Sequence, residues 1–228
     1  MRVFVQRGSA PRLLLLLFVC MLLAVGQFAS AGQFNEVISI GDSMPGFNKL
    51  PTVEGRSISA RDLDEDIVVL VSMSNNCPFS RGIENDLIDF VDSVKGQSVR
   101  VVAMSFNLHN GDQMPAMKQH ARDKGFNFTY LRDTSQELGR ALGTAVTPEF
   151  FVFGKNDGNQ GRKLLYMGLM HNSPPMIQGN KVVYPRGEPT EFYLADAIRA
   201  LQQGDAVKQQ ETRAFGCSVE YAVDKYEK

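Results

Sequence analysis

The stretch that most constrains the fold runs from Ile67 to Val94, and it has the pattern of a buried strand, a tight turn and a helix. The run Ile67–Met73 is continuous, apolar and rich in β-branched residues, which is typical of an interior strand. Apolar residues then recur with the spacing of a core-facing helix, at Ile83, Leu87, Phe90, Val91 and Val94. The turn between the two elements has the sequence SNNCPFS and contains Cys77.

Cys77 is the first candidate functional residue. Pro78 suits the first position of a helix, so Cys77 is predicted at the helix N-terminus, where backbone N–H groups converge and the helix dipole is positive. Such a position stabilises a thiolate relative to a thiol. The alternative is an unreactive buried cysteine, because free cysteine is among the most buried residue types. The turn therefore makes Cys77 a candidate nucleophile.

The first 31 residues have the layout of a secretory signal peptide. Three arginines precede the apolar run 13–25, and Ala29, Ser30 and Ala31 provide the small-residue pattern of a cleavage site. The apolar run is shorter than the roughly 20 residues that span a bilayer, so an uncleaved membrane anchor is the weaker alternative. We predict cleavage after Ala31, and a secreted or periplasmic protein that has no membrane association afterwards.

The rest of the chain is long enough for one domain with a substantial core. We predict that domain over residues 32–204, followed by a C-terminal tail, residues 205–228, that carries Cys217. The formal net charge of −1 and the absence of basic blocks argue against a nucleic-acid partner. None of the three histidines has metal-ligand spacing to a cysteine or carboxylate, so surface or loop positions are expected, with no metal and no cofactor.

The order of predicted elements defines the fold class. A second strand is expected over 98–106, helices over 114–124 and up to Leu142, a strand hairpin over 149–153 and 163–168, and a final helix over 191–203. The segment 171–190 contains four prolines and is predicted to be a surface insertion with a short strand at 181–184. Alternating strands and helices followed by a hairpin predict an α/β fold with a central mixed β-sheet flanked by helices.

Four motifs in the expected order resemble thioredoxin-like redoxins, on the branch that includes the peroxiredoxin-like (alkyl hydroperoxide reductase–thiol-specific antioxidant) proteins. They are the G-D-x-x-P-x-F spacing of 41–47, the SNNCPFS turn, the segment Ala145–Phe151 around Thr147-Pro148, and the FGCS sequence of 215–218. The resemblance spans nearly all of the predicted mature chain. It implies a thioredoxin-like fold with an N-terminal hairpin extension.

The resemblance also implies roles for particular residues. Cys77 corresponds to the catalytic cysteine, and Thr147-Pro148 corresponds to a cis peptide that faces it. Backbone groups of Val146 or Thr147 would then pair with an extended substrate beside Cys77. Cis bonds are only about 5–6% of X–Pro bonds in folded proteins, so the resemblance alone carries this expectation. The predicted substrate-binding residues are Asn76, Pro78, Val146, Thr147 and Pro148.

Two departures from the family pattern bear on mechanism. Thioredoxin has a second cysteine three residues after the first, and Ser80 occupies that position here. Peroxiredoxins have Pro and Thr at fixed distances before their cysteine, and here these positions hold Leu70 and Ser74. Ser74 and the N–H groups around Cys77 remain able to hold a peroxide oxygen, so both disulfides and peroxides stay open as substrates.

Cys217 has three interpretations that the sequence leaves open. It is a resolving thiol that closes a bridge to Cys77, half of a permanent structural disulfide, or an unpaired thiol on a mobile tail. The first makes Cys77 and Cys217 a catalytic pair that an external dithiol reductant would reset. The leading hypothesis is thus an exported thiol–disulfide oxidoreductase or thiol-dependent antioxidant. A non-catalytic thioredoxin-fold binding or scaffold protein is the alternative, with Ser80 marking a lost redox function.

Overall fold

The central element of the fold is a five-stranded mixed β-sheet. The computed structural model describes residues 32–155 and 161–222, and the predicted signal peptide lies outside them. The sheet has the order β5-β4-β3-β7-β8. Its strands are β3 (Ile67–Ser72), β4 (Val99–Ser105), β5 (Thr129–Arg132), β7 (Glu149–Lys155) and β8 (Arg162–Gly168). Strands β3, β4 and β5 are parallel, whereas β7 runs antiparallel to β3 and to β8.

Strand β3 lies in the middle of the sheet, between β4 and β7, and all six of its residues are buried. Its side chains alternate between two apolar layers, as the period of two along a strand requires. Val69 and Val71 face the layer that includes Leu87 and Ile198, and Val68 and Leu70 face the layer that includes Phe151. The carboxyl end of β3 therefore places the segment that follows it at one edge of a packed sheet.

In the described ranges, five α-helices flank the sheet. They are α1 (Pro78–Gly82), α2 (Glu84–Ser93), α3 (Met114–Lys124), α4 (Glu137–Ala141) and α5 (Tyr193–Gln203). Buried residues of α2 and α5 pack in the first layer, and Leu138 of α4 packs in the second. The predicted end of α3 is confirmed, because Gly125 adopts the left-handed conformation that closes many helices. The predicted α/β class and the thioredoxin-like arrangement are confirmed.

The helix after Cys77 is shorter than the apolar pattern predicts. Residue Ile83 ends α1 and also begins α2, so a five-residue helix and a ten-residue helix replace one continuous helix. Gly82, at the break, has no room for a side chain, because a Cβ atom there would lie 2.7 Å from the Cα of Met176. Glycine is also a weak helix former, which favours an interruption at this point.

Among the residues that the structure describes, three short sheets lie outside the central one. The predicted N-terminal hairpin consists of β1 (Leu50–Pro51) and β2 (Ser57–Ile58). The insertion over 171–190 contains the hairpin of β9 (Met176–Gln178) and β10 (Lys181–Val183), which includes the expected strand. The third pairs β6 (Val146–Thr147) with β11 (Cys217–Ser218). Within the described ranges, no helix combines the length and apolarity needed to cross a membrane.

Candidate functional site

Cys77 lies at the carboxyl end of β3 as the N-cap residue of α1, with only 2% of its surface exposed. Its thiol donates a hydrogen bond to the carbonyl oxygen of Thr147, with 3.1 Å between the atoms. Its sulfur accepts a hydrogen bond from the backbone N–H of Ser80 at 3.4 Å. The sequence predicts that several backbone N–H groups converge on Cys77. In the structure, the short helix α1 provides one such donor, the N–H of Ser80. The sulfur is thus held between one acceptor and one donor.

The turn before Cys77 is organised by Asp112, which is fully buried. Its carboxylate accepts hydrogen bonds from the Ser74 hydroxyl at 2.7 Å, the Asn75 backbone N–H at 2.8 Å and the Asn76 side-chain amide at 3.3 Å. Asp112 follows β4, and parallel strands β3 and β4 bring their carboxyl ends to the same edge. The sequence does not indicate that Asp112 organises the turn, because this residue ends a polar segment with the composition of an ordinary turn.

The contacts of Ser74 and Ser80 bear on the two departures from the family pattern. The Ser74 hydroxyl donates its one hydrogen bond to the Asp112 carboxylate. It therefore cannot also donate to a peroxide oxygen in this structure. Ser80, at the position of thioredoxin's second cysteine, is fully buried, and its hydroxyl accepts a hydrogen bond from the Ser74 backbone N–H at 3.2 Å. Both serines therefore stabilise the turn.

Replacing Asp112 with alanine is expected to destabilise the protein by about 3 kcal/mol, since buried donors in the turn lose their acceptor. Chemical unfolding measures the loss. Asp123→Ala is the matched control, because Asp123 is exposed and its carboxylate contacts the Gln119 side chain; a change within about 0.5 kcal/mol is expected. Equal losses in the two variants would contradict the assigned role of Asp112.

The Thr147-Pro148 peptide is cis, as predicted, and it lies against Cys77 through the Thr147 carbonyl. Ser72, the last residue of β3, holds the turn from the other side. Its hydroxyl donates a hydrogen bond to the Val146 carbonyl at 2.9 Å and accepts one from the Glu149 N–H at 2.9 Å. Sequence reasoning missed Ser72, which ends a run that otherwise looks wholly apolar.

Cys217 lies beside the same turn. It is directly opposite Thr147 in the antiparallel pair of β6 and β11, and Ser218 is opposite Val146. Cys77 and Cys217 are both free thiols, and a hydrogen bond connects their side chains. Burial, and then the hydrogen bond and charge of Cys77, raise the pKa of the Cys217 thiol to about 12. The structure thus brings together two cysteines that are 140 positions apart in the sequence.

The described segment around Cys217 is packed at both ends, in contrast to the mobile-tail interpretation. The ring of Phe215 meets Phe79 of α1 edge to face, with centroids 5.1 Å apart. The guanidinium of Arg186 lies 5.1 Å above the ring of Phe215. At the other end, the ring of Tyr221 stacks on Phe106 at 6.1 Å.

The remaining predicted substrate-binding residues have different settings. Asn76 is exposed, and its side-chain amide points to Asp112. Pro78 is half-buried at the first position of α1, and Pro148 is buried. The site therefore groups Val146, Thr147 and Pro148 around the two cysteines, with Asn76 at its rim.

Glu149 follows the cis peptide and is 5% exposed. Burial raises the pKa of its carboxyl to about 8, although a hydrogen bond from the Ala145 backbone partly opposes the shift. Its Oε2 atom has no hydrogen-bond partner. In the sequence, Glu149 is either an acid–base neighbour of the candidate site or a solvent-facing strand glutamate, and its burial rules out the second interpretation.

A polar cluster connects the insertion to α2. His171 is 3% exposed, and its Nε2 lies 3.2 Å from an Asp86 carboxylate oxygen. The Tyr184 hydroxyl donates to the same carboxylate, and burial, followed by the Asp86 charge, raises the pKa of Tyr184 to about 12. His171 lies in a loop, as expected, but it is buried rather than on the surface. In the described parts of the chain, no group of three or more His, Cys, Asp or Glu residues could hold a metal ion.

The fold and the Cys77 turn define a thioredoxin-like redoxin with one cysteine at the strand–helix junction. The chain belongs to the AhpC/TSA family, which matches it over residues 40–158. That range includes the Cys77 turn and the Thr147-Pro148 peptide, whereas Cys217 lies outside it.

Solved structures resemble the chain over most of its length. An uncharacterised conserved protein from Geobacillus kaustophilus has a TM-score of 0.71 and 24% identity, covering 83% of this chain and 96% of that one. A hypothetical protein from Sinorhizobium meliloti 1021 has a TM-score of 0.71 and 25% identity, with 83% and 98% covered. A protein from Neisseria meningitidis provisionally assigned as a thioredoxin has a TM-score of 0.50 and 22% identity, with 71% and 92% covered. No curated protein sequence matches the chain.

Proposed function

We propose that the protein is a thiol oxidoreductase of the redoxin class, with Cys77 as nucleophile and Cys217 as resolving residue. The observation that carries this proposal is the pairing of Cys217 with Thr147 beside the Cys77 thiol. Membership of the AhpC/TSA family supports the general class.

In the first step, the Cys77 thiolate attacks a disulfide or a peroxide. Attack on a disulfide breaks its S–S bond, releases one thiolate that takes up a proton, and leaves a mixed disulfide on Cys77. Attack on a peroxide breaks its O–O bond, releases an alcohol or water after protonation, and leaves a sulfenic acid. A peroxide gains both electrons in this step, whereas the reduction of a disulfide is completed only when its second half leaves Cys77 as a thiol in the next step.

In the second step, Cys217 attacks the sulfur of oxidised Cys77. A Cys77–Cys217 bond forms, and the remaining thiol or a water molecule leaves. An external dithiol then donates two electrons, reduces this bond and becomes a disulfide itself.

The raised pKa of Cys217 supports Cys77 as the residue that attacks first. Burial, and then the hydrogen bond and charge of Cys77, raise the pKa of the Cys217 thiol to about 12, so Cys217 is a thiol near neutral pH. Oxidation of Cys77 removes the contribution of its charge, whereas the contribution of burial persists.

Export is part of the proposal and is supported by the sequence of residues 1–31. The same sequence argument places one redoxin domain over 32–204 and a tail from 205. An oxidising compartment permits disulfide formation, which suits a protein that cycles between a dithiol and a bridge.

The proposal is tested by mass mapping of the thiols in protein purified without reductant. After one equivalent of hydrogen peroxide or of a small disulfide, a Cys77–Cys217 peptide is expected, and a dithiol is expected to remove it. The Cys217→Ser variant should instead accumulate a sulfenic acid or a mixed disulfide at Cys77. Two persistently free, slowly alkylating thiols would favour the scaffold interpretation that Ser80 suggests.

A further inference from the structure

The edge beside Thr147-Pro148 is already occupied by the protein's own chain. An extended polypeptide that binds by strand addition needs free backbone groups on an exposed edge. Here β11 pairs with β6, and the Val219 N–H donates a hydrogen bond to the Ala145 carbonyl at 2.9 Å. The opposite side of β6 is occupied as well, because the Val146 carbonyl accepts a hydrogen bond from the Ser72 hydroxyl. No second strand fits beside Val146 and Thr147 in this arrangement.

Gly216 allows the close approach of the two segments. A Cβ atom at this position would lie 2.0 Å from the Thr147 carbonyl oxygen and 2.7 Å from its carbon. Both are backbone atoms, so a larger residue could be accommodated only if the strands separated. The absence of a side chain at 216 is thus a condition for the pairing of β11 with β6.

Residues 215–222, here called the tail segment, are fixed on both sides of that pairing. On one side, Phe215 is packed between Phe79 and Arg186. On the other, the Gln136 side chain donates to the Glu220 carbonyl at 2.8 Å and accepts from the Ala222 N–H at 2.7 Å. Displacement of β11 therefore requires the loss of contacts at both ends of the segment.

We propose that the tail segment is a specificity filter, which occupies the peptide-docking edge and restricts Cys77 to oxidants small enough to reach its sulfur without displacing β11. This inference rests on the proposed function of Cys77. The accepted class is a compact molecule with a reducible S–S or O–O bond, and extended polypeptides with a disulfide are excluded. The low exposure of Cys77 agrees with this restriction, because a bulky substrate has little access to its sulfur.

The test compares variants that share the Cys217→Ser substitution, so that oxidation stops at Cys77. Cys217→Ser alone retains the strand, Gly216→Val adds a side chain against the Thr147 backbone, and Phe215→Ala removes the packing on α1 without adding bulk. The probes are hydroxyethyl disulfide, hydrogen peroxide and insulin, with adduct formation at Cys77 followed by mass spectrometry. Hydrogen exchange of residues 215–222 reports whether the tail segment is released.

With the strand in place, Cys77 is expected to react with insulin at least about 100-fold more slowly than with hydroxyethyl disulfide. Release of the tail segment should raise the insulin rate by about tenfold or more, because the reactive fraction of molecules increases. The rates with the two small probes should change by less than about threefold. Phe215→Ala provides the same comparison if Gly216→Val does not fold.

Two results would overturn this inference while leaving the proposed function standing. One is reaction with insulin as fast as with hydroxyethyl disulfide while the tail segment stays protected from exchange. The other is equal acceleration of all three reactions when the segment is released. Failure of Cys77 to react with any probe in the Cys217→Ser protein would overturn the proposed function, and this inference with it.

Discussion

Replacement of Cys77 by serine is expected to lower the rate of disulfide or peroxide reduction by at least about 1,000-fold, because a serine hydroxyl does not form the thiolate that attacks either substrate. Replacement of Cys217 by serine is expected to act differently. The first attack remains within about threefold of the wild-type rate in a single turnover, whereas steady-state turnover with a dithiol donor falls by about tenfold or more.

These two variants form a matched pair, since each removes one sulfur from the same contact. Rapid-mixing measurements of substrate consumption separate the first turnover from the steady state. Circular dichroism and thermal unfolding show whether both variants keep the fold. A Cys77→Ser protein that reduces substrate at the wild-type rate would contradict the nucleophile assignment. A Cys217→Ser protein with unchanged steady-state turnover would contradict only the resolving role.

The sequence predicts the elements whose signals are local. Strand β3 follows from a run of buried β-branched residues, and the end of α3 follows from Gly125. The cis Thr147-Pro148 peptide follows from the family resemblance, since the residue types alone favour trans. The strand and the helix end depend on short stretches of chain, whereas the cis peptide is set by its surroundings.

The contacts that complete the site are not visible in the sequence, because they join distant segments. Cys217 meets Thr147 across 70 positions, and no periodic pattern marks a two-residue strand such as β11. Asp112 and His171 look like ordinary loop residues until the strand order buries them. The break at Ile83 depends on the insertion, which packs against Gly82. The apolar pattern of the helix carries no information about that contact.

The buried carboxyl of Glu149 makes the stability of the protein depend on pH. The pKa of this carboxyl is about 8 in the folded protein, against an ordinary value of 4.5, so the folded state keeps a proton that the unfolded state releases between those values. Where the folded state binds more protons than the unfolded state, the free energy of unfolding falls as the pH rises. Stability from this residue is therefore fully present below about pH 4.5 and is lost as the pH rises through about 8.

The Glu149→Gln variant is expected to lack this dependence, because a neutral amide has no proton to lose in the range. Between pH 4.5 and pH 8.5, the wild type should lose on the order of 4 kcal/mol of unfolding free energy relative to Glu149→Gln. Urea unfolding at several pH values measures this shift. Glu137→Gln is the control. Glu137 is exposed, so its replacement should leave the pH dependence of the unfolding free energy the same as in the wild type. Parallel curves for the wild type and Glu149→Gln would show that Glu149 is already ionised in the folded protein.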